Sequence, residues 1–76
     1  MNVLKYVRFD NYEILLFPKV MVQRDVANGY RRGKPVSAGF CFFNENEGQW
    51  EVYGRSESLN LDSDPADTKL LDNCGW

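Results

Sequence analysis

The stretch PVSAGFCFFNENEGQWEVYG, residues 35–54, decides the fold of this chain. Residues 36–43 are rich in β-forming side chains. Apolar residues occupy both odd and even positions, which point to opposite faces of a strand, so the pattern predicts a central strand with two covered faces. The polar, acidic run from Asn44 ends in Gly48 and predicts a tight turn. The chain therefore returns from Gln49 as an antiparallel partner strand.

The return strand changes its pattern partway along. Trp50 and Val52 share one parity, whereas Leu59 and Leu61 share the opposite one. A β-bulge near Gly54 would place all four side chains on one face of a single long strand. In the alternative interpretation, the strand ends near the glycine and a second strand begins.

Before the central hairpin, the sequence predicts another hairpin and a short helix. Residues 5–10 and 12–17 are rich in β-branched and aromatic side chains, and the second run stops at Pro18. Apolar positions within 20–30 repeat with helical spacing, and Asn28-Gly29 supplies a C-terminal cap. The first half of the chain is therefore predicted to be strand, strand, helix.

After the central hairpin, residues 64–67 predict the start of a second helix. Asp64 can serve as N-cap, Pro65 suits the first helical position, and the helix dipole favours an acid at Asp67. Asn73 and Gly75 can end this helix. With the order β-β-α-β-β-α, we expect an α+β fold: a small antiparallel sheet of about four strands with two short helices on one face.

Seventy-six residues make a single domain, 1–76, that is marginally stable alone. Such small domains usually need a disulfide, a metal or a partner subunit. The spacing of Cys41 and Cys74 matches no disulfide framework. A single disulfide between them is the alternative, but two reduced thiols are favoured. The chain has no histidine and no calcium-loop spacing, so we expect no metal and no cofactor. A homo-oligomer is therefore expected.

Charge is divided unevenly along the chain. Residues 1–43 carry seven Lys or Arg against three Asp or Glu, a net +4, and residues 44–76 carry two against eight, a net −6. Such a distribution governs encounter with partners, not fold. The start of the chain has neither a signal-peptide pattern nor a membrane-spanning segment. We expect a soluble, cytoplasmic protein with no membrane partner.

The basic run at residues 30–34 is the best sequence candidate for an anion contact. Arginines beside an aromatic ring suit phosphate clamping and base stacking. A solvated loop is the favoured alternative, because duplex binders rest on about 6–10 phosphate contacts and the acidic half of the chain repels a polyanion. Weak nucleic-acid binding through this loop is therefore the least favoured hypothesis.

The acidic residues 57–67 have two interpretations. They could mimic nucleic-acid phosphate in a basic groove of a partner, but helix capping and a soluble edge are the favoured explanation. Catalysis is not expected. Cys41 has no histidine to act as its base and lies among phenylalanines, which predicts a buried, inert thiol.

Three segments carry a resemblance to a known family. They are PVSAGF at 35–40, YGRSESLNL at 53–61 and SDPAD at 63–67. These segments resemble the core of a set of short proteins encoded by bacteriophages and prophages, for which no catalytic residues are established. The resemblance covers residues 35–71 and implies an origin in a class whose small members commonly bind a host or defence component.

The leading hypothesis is a non-catalytic, phage-type binding protein that inhibits a bacterial host or anti-phage defence protein by protein–protein interaction. The predicted partner-binding residues combine aromatic and charged side chains: Trp50, Tyr53, Arg55, Glu57, Asp62, Asp64 and Asp67. The alternative is an oligomer that sequesters a small phosphorylated, nucleotide-type ligand. The residues predicted for that ligand are Tyr30, Arg31, Arg32, Lys34 and Arg55.

Overall fold

A four-stranded antiparallel sheet organises the protein in a computed structural model that describes residues 2–74. Its spatial order is β2-β1-β3-β4, with β1 (Leu4–Phe9), β2 (Ile14–Phe17), β3 (Pro35–Asn44) and β4 (Gln49–Tyr53). Beside it lie a two-stranded sheet of β5 (Arg55–Ser56) and β6 (Leu61–Asp62) and the helices α1 (Gln23–Gly29) and α2 (Asp67–Cys74). The predicted α+β class is confirmed, while the predicted helix end at Gly75 lies outside the described residues.

The central hairpin forms as its sequence predicts. β3 pairs with β1 on one side and with β4 on the other, and its middle residues are buried. In the turn, Gly48 has a φ of 66° and donates its amide to the Asn44 carbonyl at 2.8 Å. The Asn44 side chain also accepts the amides of Asn46 and Glu47. This polar turn therefore fixes the register of β3 and β4.

The chain breaks at Gly54 instead of bulging. β4 ends at Tyr53, Gly54 takes a φ of 75°, and a new direction begins with β5. A second reversal follows at Asn60, whose φ is 54°, and leads into β6. The single long strand is therefore wrong, and the alternative of two separate strands is confirmed. The left-handed conformation of Gly54 turns the backbone out of the sheet.

The two helices cover opposite faces of the sheet, which corrects the expectation that both lie on one face. Leu71 of α2 packs in a buried cluster with Tyr6 and Cys41, and Ala27 of α1 packs in another with Val7. Adjacent strand residues point to opposite faces, so two neighbouring buried residues of β1 require cover on both sides. Within the described part of the chain, no helix has the length and apolar character needed to cross a bilayer.

Candidate functional site

A groove on the α1 side of the sheet carries the candidate functional site. It encloses about 460 Å³ between β1, the start of α1, β3 and the chain that follows β4. We name it the α1 groove. Its lining includes Lys5, Val22, Phe40, Arg55, Glu57 and Ser58.

An exposed tyrosine stands beside this groove. Tyr53 faces Phe40 across the β3–β4 ladder, and the two rings stack with centroids 5.5 Å apart. Phe42 meets the same ring edge-on at 6.1 Å. Both contacts are favourable aromatic geometries that hold the ring in place. Tyr53 is nevertheless 46% exposed, so the protein presents a positioned aromatic surface to solvent.

Hydrogen bonds tie the walls of the groove together. The buried Gln23 amide donates to the Gly39 carbonyl at 2.9 Å, which fixes α1 to β3. The N-cap residue of α1 is Val22, which makes no side-chain hydrogen bond to the helix. Instead, the Arg24 amide donates to Ser58 Oγ at 3.1 Å, across the groove. The walls are therefore held in position before any partner arrives.

The rim of the groove carries charges of both signs. Arg55 lies 3.7 Å from Asp62 and donates to Asn60 at 2.5 Å. Lys5 donates to the Met21 carbonyl at 2.8 Å. Exposed ion pairs contribute little to stability, so the Arg55–Asp62 pair can separate at little cost when its charges contact a partner. An apolar floor within a polar, charged rim is the usual anatomy of a protein interface.

Two predicted contact residues are buried and cannot meet a partner directly. Trp50 is only 8% exposed and packs with Leu71 under α2, on the face opposite Tyr53. Asp67 is completely buried. The prediction of these two as contact residues is therefore wrong: Trp50 belongs to the hydrophobic core, and the Asp67 carboxylate is held inside by a polar network.

The Asp67 carboxylate is the centre of that buried network. Tyr6 and Ser37 donate their hydroxyls to Oδ2, each at 2.6 Å. Arg8 Nε lies 2.5 Å from Oδ1, but its N–H is directed at Ser37 Oγ, so this contact is an ion pair and not an aligned hydrogen bond. Burial, aided by the bond to Asp67 and its charge, raises the pKa of Tyr6. The network anchors α2 to the sheet.

Asp64 has a supporting position at the edge of the same network. Its backbone amide donates to the Tyr6 hydroxyl oxygen, and its carboxylate lies 3.6 Å from Arg8. Its side chain also accepts the amide of Ala66 at 3.0 Å, in a turn that precedes α2. The prediction of Asp64 as the N-cap of the helix and Pro65 as its first residue is therefore wrong, because α2 begins at Asp67; Asp64 instead caps the turn before it.

The five residues predicted for a phosphorylated ligand do not form one site in the chain. The Tyr30 ring packs on Phe9 with centroids 4.1 Å apart, and its hydroxyl accepts a hydrogen bond from Asn11. The loop 30–34 follows the C-terminal end of α1. Arg55 lies beside the N-terminal end of the same helix. Seven helical residues separate these positions by roughly 10 Å.

The cysteines and acidic groups show no arrangement for metal binding. Within residues 2–74, no three side chains of the metal-ligating types come together. Cys41 and Cys74 are free thiols. Burial raises the pKa of Cys41 to about 12, which keeps this thiol protonated and unreactive at neutral pH.

Gly54→Ala is expected to lower the free energy of unfolding by about 1–3 kcal/mol. A Cβ at this position would lie 3.0 Å from the Phe40 ring, and the φ of 75° is unfavourable for alanine. Urea denaturation measures the change. Gly29→Ala is the matched control, because a Cβ there meets nothing within 4 Å. Equal stability of the two variants would show that the break after β4 does not depend on glycine.

Four of the seven residues predicted for partner binding therefore share one surface at the α1 groove. They are Tyr53, Arg55, Glu57 and Asp62. Sequence reasoning missed Phe40, Val22 and Ser58, which complete the groove. Comparison of the chain with protein-family models, curated proteins and solved structures finds no match.

Proposed function

We propose that the protein is a non-catalytic binding protein that holds a partner protein with Tyr53 and the α1 groove. The observation that carries the proposal is the half-exposed Tyr53 ring stacked on Phe40 at the mouth of a preformed groove. Tyrosines in such positions supply large contact areas at low entropic cost and are enriched among the residues that dominate binding energy.

The dimensions and charges of the groove suit a protein partner. A volume of about 460 Å³ accommodates one or two side chains inserted from the partner's surface. Arg55 and Glu57 on the rim provide one charge of each sign, which sets the orientation of a partner and rejects unsuitable ones. Inhibition then follows from covering the surface that the partner uses.

The partner class follows from the resemblance to short phage and prophage proteins. We place the partner among bacterial host proteins or anti-phage defence proteins in the host cytoplasm. The charges at the groove are balanced, with Lys5 and Arg55 against Glu57 and Asp62, so they favour a partner surface that carries charges of both signs. This electrostatic contribution affects the association rate more than the final affinity.

Tyr53→Ala is expected to weaken partner binding at least thirtyfold, the equivalent of about 2 kcal/mol or more. Affinity capture from a bacterial lysate, followed by calorimetry with the purified partner, measures the loss. Phe43→Ala is the matched control, because Phe43 is similarly exposed but lies with Trp50 on the opposite face. Recovery of the same partners by both variants with equal affinity would remove Tyr53 from the binding surface.

A further inference from the structure

A second cavity lies at the end of the sheet where the β3–β4 hairpin turns. It encloses about 540 Å³ between the residues before β1, the end of β3 and the start of β4. We name it the hairpin pocket. A volume of this size is typical of small-molecule sites. Its lining includes Asn2, Leu4, Phe43, Glu45, Asn46 and Trp50.

The floor of the hairpin pocket is apolar. Phe43 lies opposite Trp50 in the β3–β4 ladder, and the two rings meet edge-on with centroids 5.8 Å apart. Leu4 packs against the buried cluster that contains Trp50. Phe43 is 43% exposed, so its ring offers an aromatic surface to a ligand in the pocket. Such a ring attracts both methylene groups and cations.

The charge at the hairpin pocket has one sign. Of the described residues that line it, Glu45 carries a carboxylate and none is basic. Two further carboxylates belong to the same hairpin, Glu47 in the turn and Glu51 in β4. Among residues 2–74, these three have no ion-pair partner, whereas the three aspartates of residues 62–67 are paired with arginines. The hairpin end therefore carries uncompensated negative charge that attracts a cation.

The backbone adds a hydrogen-bond acceptor to this pocket. Phe9 donates its amide to the Glu13 carbonyl, so odd-numbered residues of β1 bond to β2 and even-numbered ones bond to β3. The β1–β3 ladder ends at the pair of Leu4 and Cys41. Two residues further along β3, the Phe43 carbonyl has the same direction but lies beyond the end of the paired strand. Among residues 2–74, no backbone amide donates to it.

We infer that the hairpin pocket binds a linear alkylamine, a ligand that combines an ammonium group with a chain of methylene groups. An ammonium group has three donors and no acceptor, so it matches the Glu45 carboxylate and the Phe43 carbonyl. The methylene chain covers the apolar floor. The inference does not depend on the proposed function, because the floor of this pocket and the α1 groove lie on opposite faces of the sheet.

Three probes separate the contribution of charge from that of apolar contact. Putrescine, a linear diamine, has both ammonium and methylene groups. Mg²⁺ has the same charge without methylene groups, and butanediol has the methylene groups without charge. Amide chemical shifts of the isotope-labelled full chain at low salt measure binding. Putrescine is expected to shift the amides of residues 43–46 and to bind about tenfold more tightly than either of the others, because both contributions act together.

Two matched variants assign this binding to the pocket. Glu45→Gln keeps the size of the side chain and should weaken putrescine binding about fivefold, because it removes the carboxylate from the lining. Glu13→Gln is the control, because Glu13 is also exposed but lies at the other end of β1, and it should bind putrescine as the original protein does.

Three results would overturn the inference. The first is equal affinity for putrescine and Mg²⁺, which would leave the apolar floor without a role. The second is equal affinity of the two glutamine variants for putrescine. The third is a capped, lysine-containing tripeptide that binds about tenfold more tightly than putrescine, since the pocket would then be a docking surface for a lysine of a partner protein.

Discussion

Asp67→Ala is expected to lower the free energy of unfolding by about 3–5 kcal/mol, because it breaks a buried ion pair on one side. The substitution leaves the Arg8 guanidinium without its main counter-charge and removes the acceptor for the Tyr6 and Ser37 hydroxyls. It also releases α2 from the sheet. A loss of this size is comparable to the whole stability of a small domain.

Urea denaturation monitored by circular dichroism measures this loss. Asp64→Ala is the matched control, because Asp64 also contacts Arg8 but its side chain is 45% exposed and its distance is 3.6 Å. The free energy of unfolding of Asp64→Ala should fall by about 0–1 kcal/mol. If the two alanine variants were equally stable, the network around Asp67 would not be the anchor of α2.

Alkaline pH is expected to unfold the protein steeply. Burial raises the pKa of Cys41 from its ordinary value of 9.0 to about 12, and burial with the Asp67 contact raises that of Tyr6. The unfolded chain therefore releases both protons at a lower pH than the folded chain. Their stabilising contribution is complete below about pH 9 and declines as the pH rises. Each group lowers stability by about 1.4 kcal/mol per pH unit within its window.

Urea denaturation at a series of pH values between 8 and 12 tests this expectation. Cys41→Ala should remove the decline that starts near pH 9, and Tyr6→Phe should remove the one that starts near pH 10. Both variants start from a lower stability, so the slope and not the absolute value is compared. A slope that is unchanged in both variants would assign the alkaline transition to other groups.

The strands were predictable from the sequence because their signals are local. The β-rich run of β3, the polar turn that ends at Gly48 and the stop before Pro18 all act within a few residues. Helix α1 follows from its apolar spacing in the same way. Positions of these elements therefore needed no knowledge of distant contacts, although their ends differ by a few residues from those predicted.

The positions of side chains relative to one another were much less predictable. Asp67 looks like an ordinary acid in the first turn of a helix, and only the fold brings it to Tyr6 and Ser37. Trp50 looks like an exposed anchor until α2 covers it. The sequence of β3 is apolar on both faces of the strand, which indicates that both faces of the sheet are covered. This pattern could have predicted helices on opposite faces. Tyr53 and Arg55, both predicted as partner contacts, lie close together because they flank the break after β4.

The bond between Tyr6 and Asp67 has a consequence for the order of folding. The two residues lie 61 positions apart, so the first strand cannot complete its polar contacts until Asp67 has left the ribosome. Closing such a long loop is entropically costly and slows folding. A nascent chain that stops before α2 would therefore keep Tyr6 and Arg8 unpaired. We expect this small domain to complete its fold only once α2 has been synthesised.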